Sequence, residues 1–182
     1  MKIFLLLFLV VYSYLSADIK QTMLNLYKAK NYTKACNIGF QNFHKFSKNE
    51  KLITLYAFSC LESDYIDRLS IPIVKLKYSK EARINSSFFS VVLLQKKLLY
   101  HSLLDGYEIS SLNFPTTKYA LSKVFDLYTK LGSHEKKDFY IFRDENNKHL
   151  TYKLYLERTS KLPKMVIEEY YDTITTKRHV YW

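Results

Sequence analysis

The apolar residues of this chain change their spacing once, at Gly132, and that change decides the fold class. Up to Leu131 they recur every three to four positions, as in helices that bury one face. Ile19, Met23, Leu26 and Tyr27 form a first stripe, and Tyr32, Ala35, Cys36, Gly39, Phe40 and Phe43 a second, with Asn31 as the N-cap between them. A third helix runs from about Asn49 and buries Leu52, Leu55, Tyr56 and Cys60; a fourth starts near Asp64 and is broken or kinked by Pro72. Ser79 to Leu104 reads as one long helix, and its nearly all-apolar centre, Phe88 to Leu94, predicts the central buried helix. Pro115 suits the first turn of a last helix, which Tyr119 to Leu131 continue and Gly132 ends. With only 3 Gly and 3 Pro in 182 residues, such helices meet few interruptions.

Beyond Gly132 the period becomes two. Leu150, Tyr152, Leu154 and Leu156 alternate with Thr151, Lys153, Tyr155 and Glu157, so His149 to Glu157 is a strand with one apolar face. Asp138 to Arg143, Lys164 to Tyr171 and Ile174 to Tyr181 supply three more. Four antiparallel strands in a meander cannot close on themselves, so one face must lie on helices. The expected fold class is α+β: about six helices in residues 18–132, then a four-stranded antiparallel β-meander in residues 133–182 packed on them.

The first residues read as an address. Lys2 precedes an unbroken apolar run, Ile3 to Val11, and Tyr12 to Ser16 grade into polarity before the small residue Ala17. This is the pattern of a secretory signal cut between Ala17 and Asp18, leaving residues 1–17 outside the fold. Asp18 and Lys20 end the run short of the length a spanning helix needs. The alternative keeps the segment uncleaved as an inner-membrane tether. Lys, Asn, Ile, Tyr and Phe are abundant and Ala, Gly and Pro scarce, a bias that resembles AT-rich bacterial genomes and makes the periplasm the expected compartment. In an oxidising compartment the only two cysteines, Cys36 and Cys60, are most simply one disulfide, contributing about 3 kcal/mol through loop closure. The alternative is two buried free cysteines acting as small hydrophobes. Without Cys-x-x-Cys spacing the pair is structural rather than catalytic.

Leu26-Tyr27, Asn31-Tyr32 and Ala35 occupy the helix-packing, turn and small-residue positions of a helix hairpin, and Tyr65 follows Tyr32 by 33 residues. Over residues 18–70 this resembles the tetratricopeptide repeat, whose period is about 34 residues. Met23 stands where that family prefers Gly, and no third copy is visible. The resemblance implies stacked helix hairpins that bind other proteins. It also implies that Cys36 and Cys60 lie on neighbouring helices of adjacent hairpins, which a bridge would staple.

No local spacing supports catalysis, a metal or a cofactor. His44, His101, His134, His149 and His179 include no pair at i, i+3 or i, i+4, and each reads as a surface or half-buried residue. There is no Gly-x-Ser-x-Gly elbow, and Gly39, Gly106 and Gly132 are too sparse to cradle a phosphate. Glu168 and Glu169 are strand neighbours and point to opposite faces. The 17 tyrosines read as half-buried packing residues with wet hydroxyls.

Charge is the stronger clue. The formal net charge is +11, and residues 18–132 hold 17 Lys and Arg against 9 Asp and Glu, whereas residues 133–182 hold 10 against 8. The densest excess is Lys75, Lys77, Lys80, Arg83, Lys96 and Lys97, opposed only by Glu81. Such a face suits phospholipid headgroups, an acidic envelope polymer or an acidic protein; the plainer alternative is a solvated helix surface. Export and the lack of any recognition motif exclude nucleic acid. The sequence therefore predicts an exported, non-enzymatic periplasmic protein that binds another envelope protein. The first alternative is peripheral attachment to an anionic membrane surface or polymer, and the second a small periplasmic enzyme of unspecified reaction.

Overall fold

The computed structural model describes residues 19–182; the expected export signal and its cut at Ala17–Asp18 lie outside them. Six helices precede a four-stranded antiparallel sheet, the α+β order that the change of period predicts. The residues group into two compact units, one ending at Ser87 and the other Phe88–Trp182, with the division inside a continuous helix.

The first unit holds α1 (19–28), α2 (Tyr32–Phe46), α3 (Glu50–Leu61), a 3₁₀ turn (Ile66–Leu69), α4 (Ser70–Lys75) and the start of α5 (Lys80–Asp105). Asn31 and Asn49 cap α2 and α3, accepting from the Lys34 and Leu52 amides at 3.4 and 3.2 Å. Gly106 and Gly132 take the left-handed position after the last two helices, whereas in this first unit other residues do so. Lys30 (φ 57°) ends α1, with the Asn31 amide reaching back to the Leu26 carbonyl at 2.9 Å. Asp64 (φ 62°) ends α3, with the Tyr65 amide on the Cys60 carbonyl at 2.9 Å. The expected fourth helix follows as the 3₁₀ turn running directly into a short α4, so its change of character comes at Ser70, ahead of Pro72 rather than at it. Pro72 sits in the first turn of α4, where its missing N–H leaves nothing unpaired.

Cys36 on α2 and Cys60 on α3 form a disulfide between adjacent helices, with Cα atoms 4.8 Å apart and both residues fully buried. Arg68, from the 3₁₀ turn, lies between the rings of Phe40 and Tyr65, 4.6 and 4.5 Å from their centroids. It donates to Asn37 Oδ1 at 2.8 Å and to Cys36 Sγ at 3.3 Å. The same two helices meet tightly around Tyr56, whose ring packs with those of Phe43 and Phe46.

The second unit holds the rest of α5, α6 (Ala120–Thr129) and the sheet, in the order β1 (Phe139–Arg143), β2 (Leu150–Glu157), β3 (Lys164–Tyr171), β4 (Ile174–Tyr181). The inner face carries Tyr140 and Phe142, Tyr152 and Leu154, Met165 and Ile167, and His179 and Tyr181, all buried. Beneath it lie Leu121, Val124, Phe125 and Tyr128 of α6, with Tyr128 edge-on to Tyr140 at 5.1 Å. Two expectations change here. The last helix begins at Ala120, not near Pro115, because side-chain oxygens take the amides ahead of it: Thr117 N–H donates to Ser122 Oγ and Tyr119 N–H to Thr117 Oγ1. The centre of α5 is amphipathic rather than wholly buried, since Phe89 and Val92 are covered while Leu94 is exposed.

A Cβ added at Gly39 of α2 would lie 2.5 Å from Tyr56 Cδ2 and 3.2 Å from Met23 Cε. The Tyr56 ring is fully buried and cannot withdraw. Overpacking of this kind costs about 1–3 kcal/mol, against roughly 1 kcal/mol regained by replacing a helical glycine. We expect Gly39→Ala to lower the midpoint of chemical denaturation without changing its slope.

Candidate functional site: a basic hollow on the helical unit

The connection from α4 to α5 is held by one carboxylate. Glu50, in the first turn of α3, accepts the N–H groups of Lys77 and Tyr78 on Oε1 at 2.9 and 2.7 Å, and that of Ser79 on Oε2 at 2.9 Å. The carbonyls of the same stretch are held from the other side: Arg83 Nη1 donates to Tyr78 O at 2.7 Å and to Lys77 O at 3.2 Å. Ser79 then caps α5, its Oγ accepting the Ala82 amide at 3.1 Å. The Tyr78 amide, with those of Ser79 and Lys77, outweighs desolvation and holds the Glu50 carboxyl down at about 2.

This bracing fixes a hollow of about 340 Å³ lined by Lys48, Lys75, Lys77 and Tyr78, with Ser47, Glu50 and Ile53 completing it. Both oxygens of Glu50, the sole acid there, already accept main-chain hydrogen bonds. With three lysines against that one carboxylate, the hollow offers net positive charge against an aromatic and an apolar wall. On the adjoining α4, Ile71 and Val74 are exposed, and Val74 and Tyr78 reach 71% and 76% exposure. Three elements thus combine lysines with outward apolar side chains.

The sequence-predicted basic residues separate in the structure. Lys75, Lys77, Lys80 and Arg83 are exposed on the helical unit, although the Arg83 guanidinium is engaged by the two carbonyls. Lys97 is exposed on the second half of α5. Lys96 does not belong to a basic face: it is only 2% exposed, and its ammonium donates to the Trp182 main-chain oxygen. It lies on the stripe Phe89, Val92, Leu99 and Leu103 that α5 turns inward, and this spacing marks it in the sequence. Lys48 and Glu50 come from a distant part of the chain, so local charge counting missed them.

The remaining polar clusters lie in the sheet unit. Asp144, buried, accepts on Oδ2 from Lys123 Nζ at 2.7 Å and Tyr152 OH at 2.8 Å, and on Oδ1 from the Asn146 and Asn147 amides. Burial alone would raise its carboxyl, but the Lys123, Tyr152 and Asn146 hydrogen bonds prevail and lower it to about 2. His179 is buried rather than half-exposed, paired with Glu169 at 2.8 Å, while Glu168 on the opposite face binds Tyr155 and Tyr170. A recess of about 60 Å³ gathers Ser102, Glu108, Tyr128 and His134, room for a few waters. Both His134 ring nitrogens there are occupied, by Gly132 O and Tyr140 OH, and burial pushes Tyr128 up to about 12. Among the described residues no group of three or more His, Cys, Asp or Glu could hold a metal ion, and no helix is long and apolar enough to cross a membrane.

A carboxyl depressed in the folded state stabilises above its unfolded value and loses that contribution as the pH falls through its folded value. For Glu50 the window runs from 4.5 down to about 2. We expect thermal midpoints of the wild type to fall across that window. Glu50→Gln should start lower at neutral pH and fall less steeply, since its amide cannot be titrated. Compared with protein-family models, with curated proteins and with solved structures, the chain matches none.

Proposed function

We propose that this is an exported, non-enzymatic attachment protein whose helical unit docks on an anionic surface, with phospholipid headgroups as the ligand class. The observation that carries the reading is the hollow in which Lys48, Lys75 and Lys77 outnumber a single carboxylate, Glu50, that main-chain amides hold in place. The excess of lysines attracts a negative surface, and Val74 and Tyr78 beside them can enter the headgroup layer. The charge and the apolar side chains are complementary to one interface, which a merely solvated helix face would not require.

A second reading, the binding of another envelope protein, is favoured by the outward Ile71 and Val74 on α4 and by the helix-hairpin resemblance of residues 18–70. An acidic protein face would use the same lysines.

Sedimentation with vesicles separates the two. The protein should pellet with phosphatidylglycerol-containing vesicles, stay in solution with phosphatidylcholine alone, and be released by salt. At about 1 kcal/mol per lysine near the surface, replacing Lys48, Lys75 and Lys77 by Gln should weaken partitioning about 100-fold. Replacing Lys153, Lys161 and Lys177 of the sheet unit should leave it nearly unchanged. Equal pelleting with neutral vesicles, or equal loss from the two triple variants, overturns the proposal.

A further inference from the structure

The sheet has two edges, and only one is guarded. Strand β4 carries an irregularity opposite Glu169 and Tyr170 and presents Lys177, devices that keep an edge from pairing. Strand β1, Phe-Tyr-Ile-Phe-Arg, has no bulge, no proline and one charge, Arg143, at its end.

The main chain of β1 is directional. Asp144, directly after it, donates its N–H to Leu150 O of β2 at 2.9 Å. Alternation along the strand then turns the main-chain groups of Phe142 and Tyr140 towards β2, and those of Arg143, Ile141 and Phe139 towards the open edge. The side chains of these last three lie on the outer face, where Phe139 and Ile141 are 50% and 61% exposed. Beside them, Leu131 helps line a trough of about 430 Å³ along the strand.

We propose that β1 pairs antiparallel with β1 of a second copy of this chain, about a two-fold axis through Ile141. In that register Ile141 faces Ile141 and Tyr140 faces Phe142. Phe139 faces Arg143, which sets the strand's only charge over an aromatic ring at each end. The three outward residues are those that must exchange hydrogen bonds in this register, giving about six across the seam. The strand is thus complementary to itself, as a closed two-fold interface requires. It joins two four-stranded sheets into one of eight, with the outer faces continuous.

Sedimentation equilibrium of the mature chain tests this, with circular dichroism to monitor folding. We expect the wild type to be dimeric at micromolar concentrations, and Ile141→Lys, at an exposed position, to remain folded with half the mass. Ile141→Cys places one unpaired thiol on the axis, because Cys36 and Cys60 are bridged to each other. Facing Cα atoms in a hydrogen-bonded pair are about 5.5 Å apart, within reach of a disulfide. Oxidation should therefore give a covalent dimer in high yield, which decides the matter even if the lysine variant misfolds. A monomeric wild type, a dimer that survives a folded Ile141→Lys, or no crosslink in Ile141→Cys overturns the proposal.

Discussion

Glu50 ties the start of α3 to the start of α5 through three consecutive amides, while Arg83 holds the carbonyls of the same stretch. The chain between α4 and α5 has no glycine or proline to shape it. Opposite charges on either side of one peptide segment replace turn chemistry there. The placement of Lys75, Lys77 and Tyr78 follows from that bracing. Glu50 stays ionised under its three amide donors, and the hollow is positive because three lysines outnumber that one carboxylate.

The same shortage of small residues shapes the rest. Lys30, Asp64 and Asp172 occupy left-handed positions that glycine usually fills, at some cost in backbone strain. Asn31, Asn49 and Ser79 cap the helices. Where a glycine is present inside a helix, Gly39, it is there for contact with Tyr56 rather than for a bend. In the sheet unit Gln95 Oε1 is buried without a partner among the described residues, whereas two buried ionisable side chains are paired, Asp144 with Lys123 and Tyr152 and His179 with Glu169. A half-buried sheet thereby accommodates charge without leaving it unpaired.

Much of this architecture was legible in the sequence. Strands β3 and β4 begin and end where they are expected from the sequence, although Met165, Val166 and Ile167 of β3 are buried in succession and only β2 shows a clean period of two in its residues. The disulfide is the pairing expected of the two cysteines on the premise of export. Helix ends were harder. Asp64 in a left-handed turn and the Thr117–Ser122 hydrogen bond are local choices of side-chain oxygens, to which apolar spacing is blind. The candidate site was half visible. Lys75, Lys77 and Lys80 stand close in sequence, whereas Lys48 and Glu50 reach the hollow only through the fold, and Lys96 left the basic set by falling on the inward stripe of α5.

The bridge between α2 and α3 has a chemical consequence of its own. Both cysteines are fully buried, and Arg68, itself held between two rings, covers the Cys36 sulfur. Thiol exchange requires an attacking thiolate in line with the S–S bond, and none can approach while these helices stay together. Reduction must wait for the helical unit to open. The rate at which a reductant consumes the bridge is then a clock for that opening: once it stops rising with reductant concentration, it equals the rate at which the helices part.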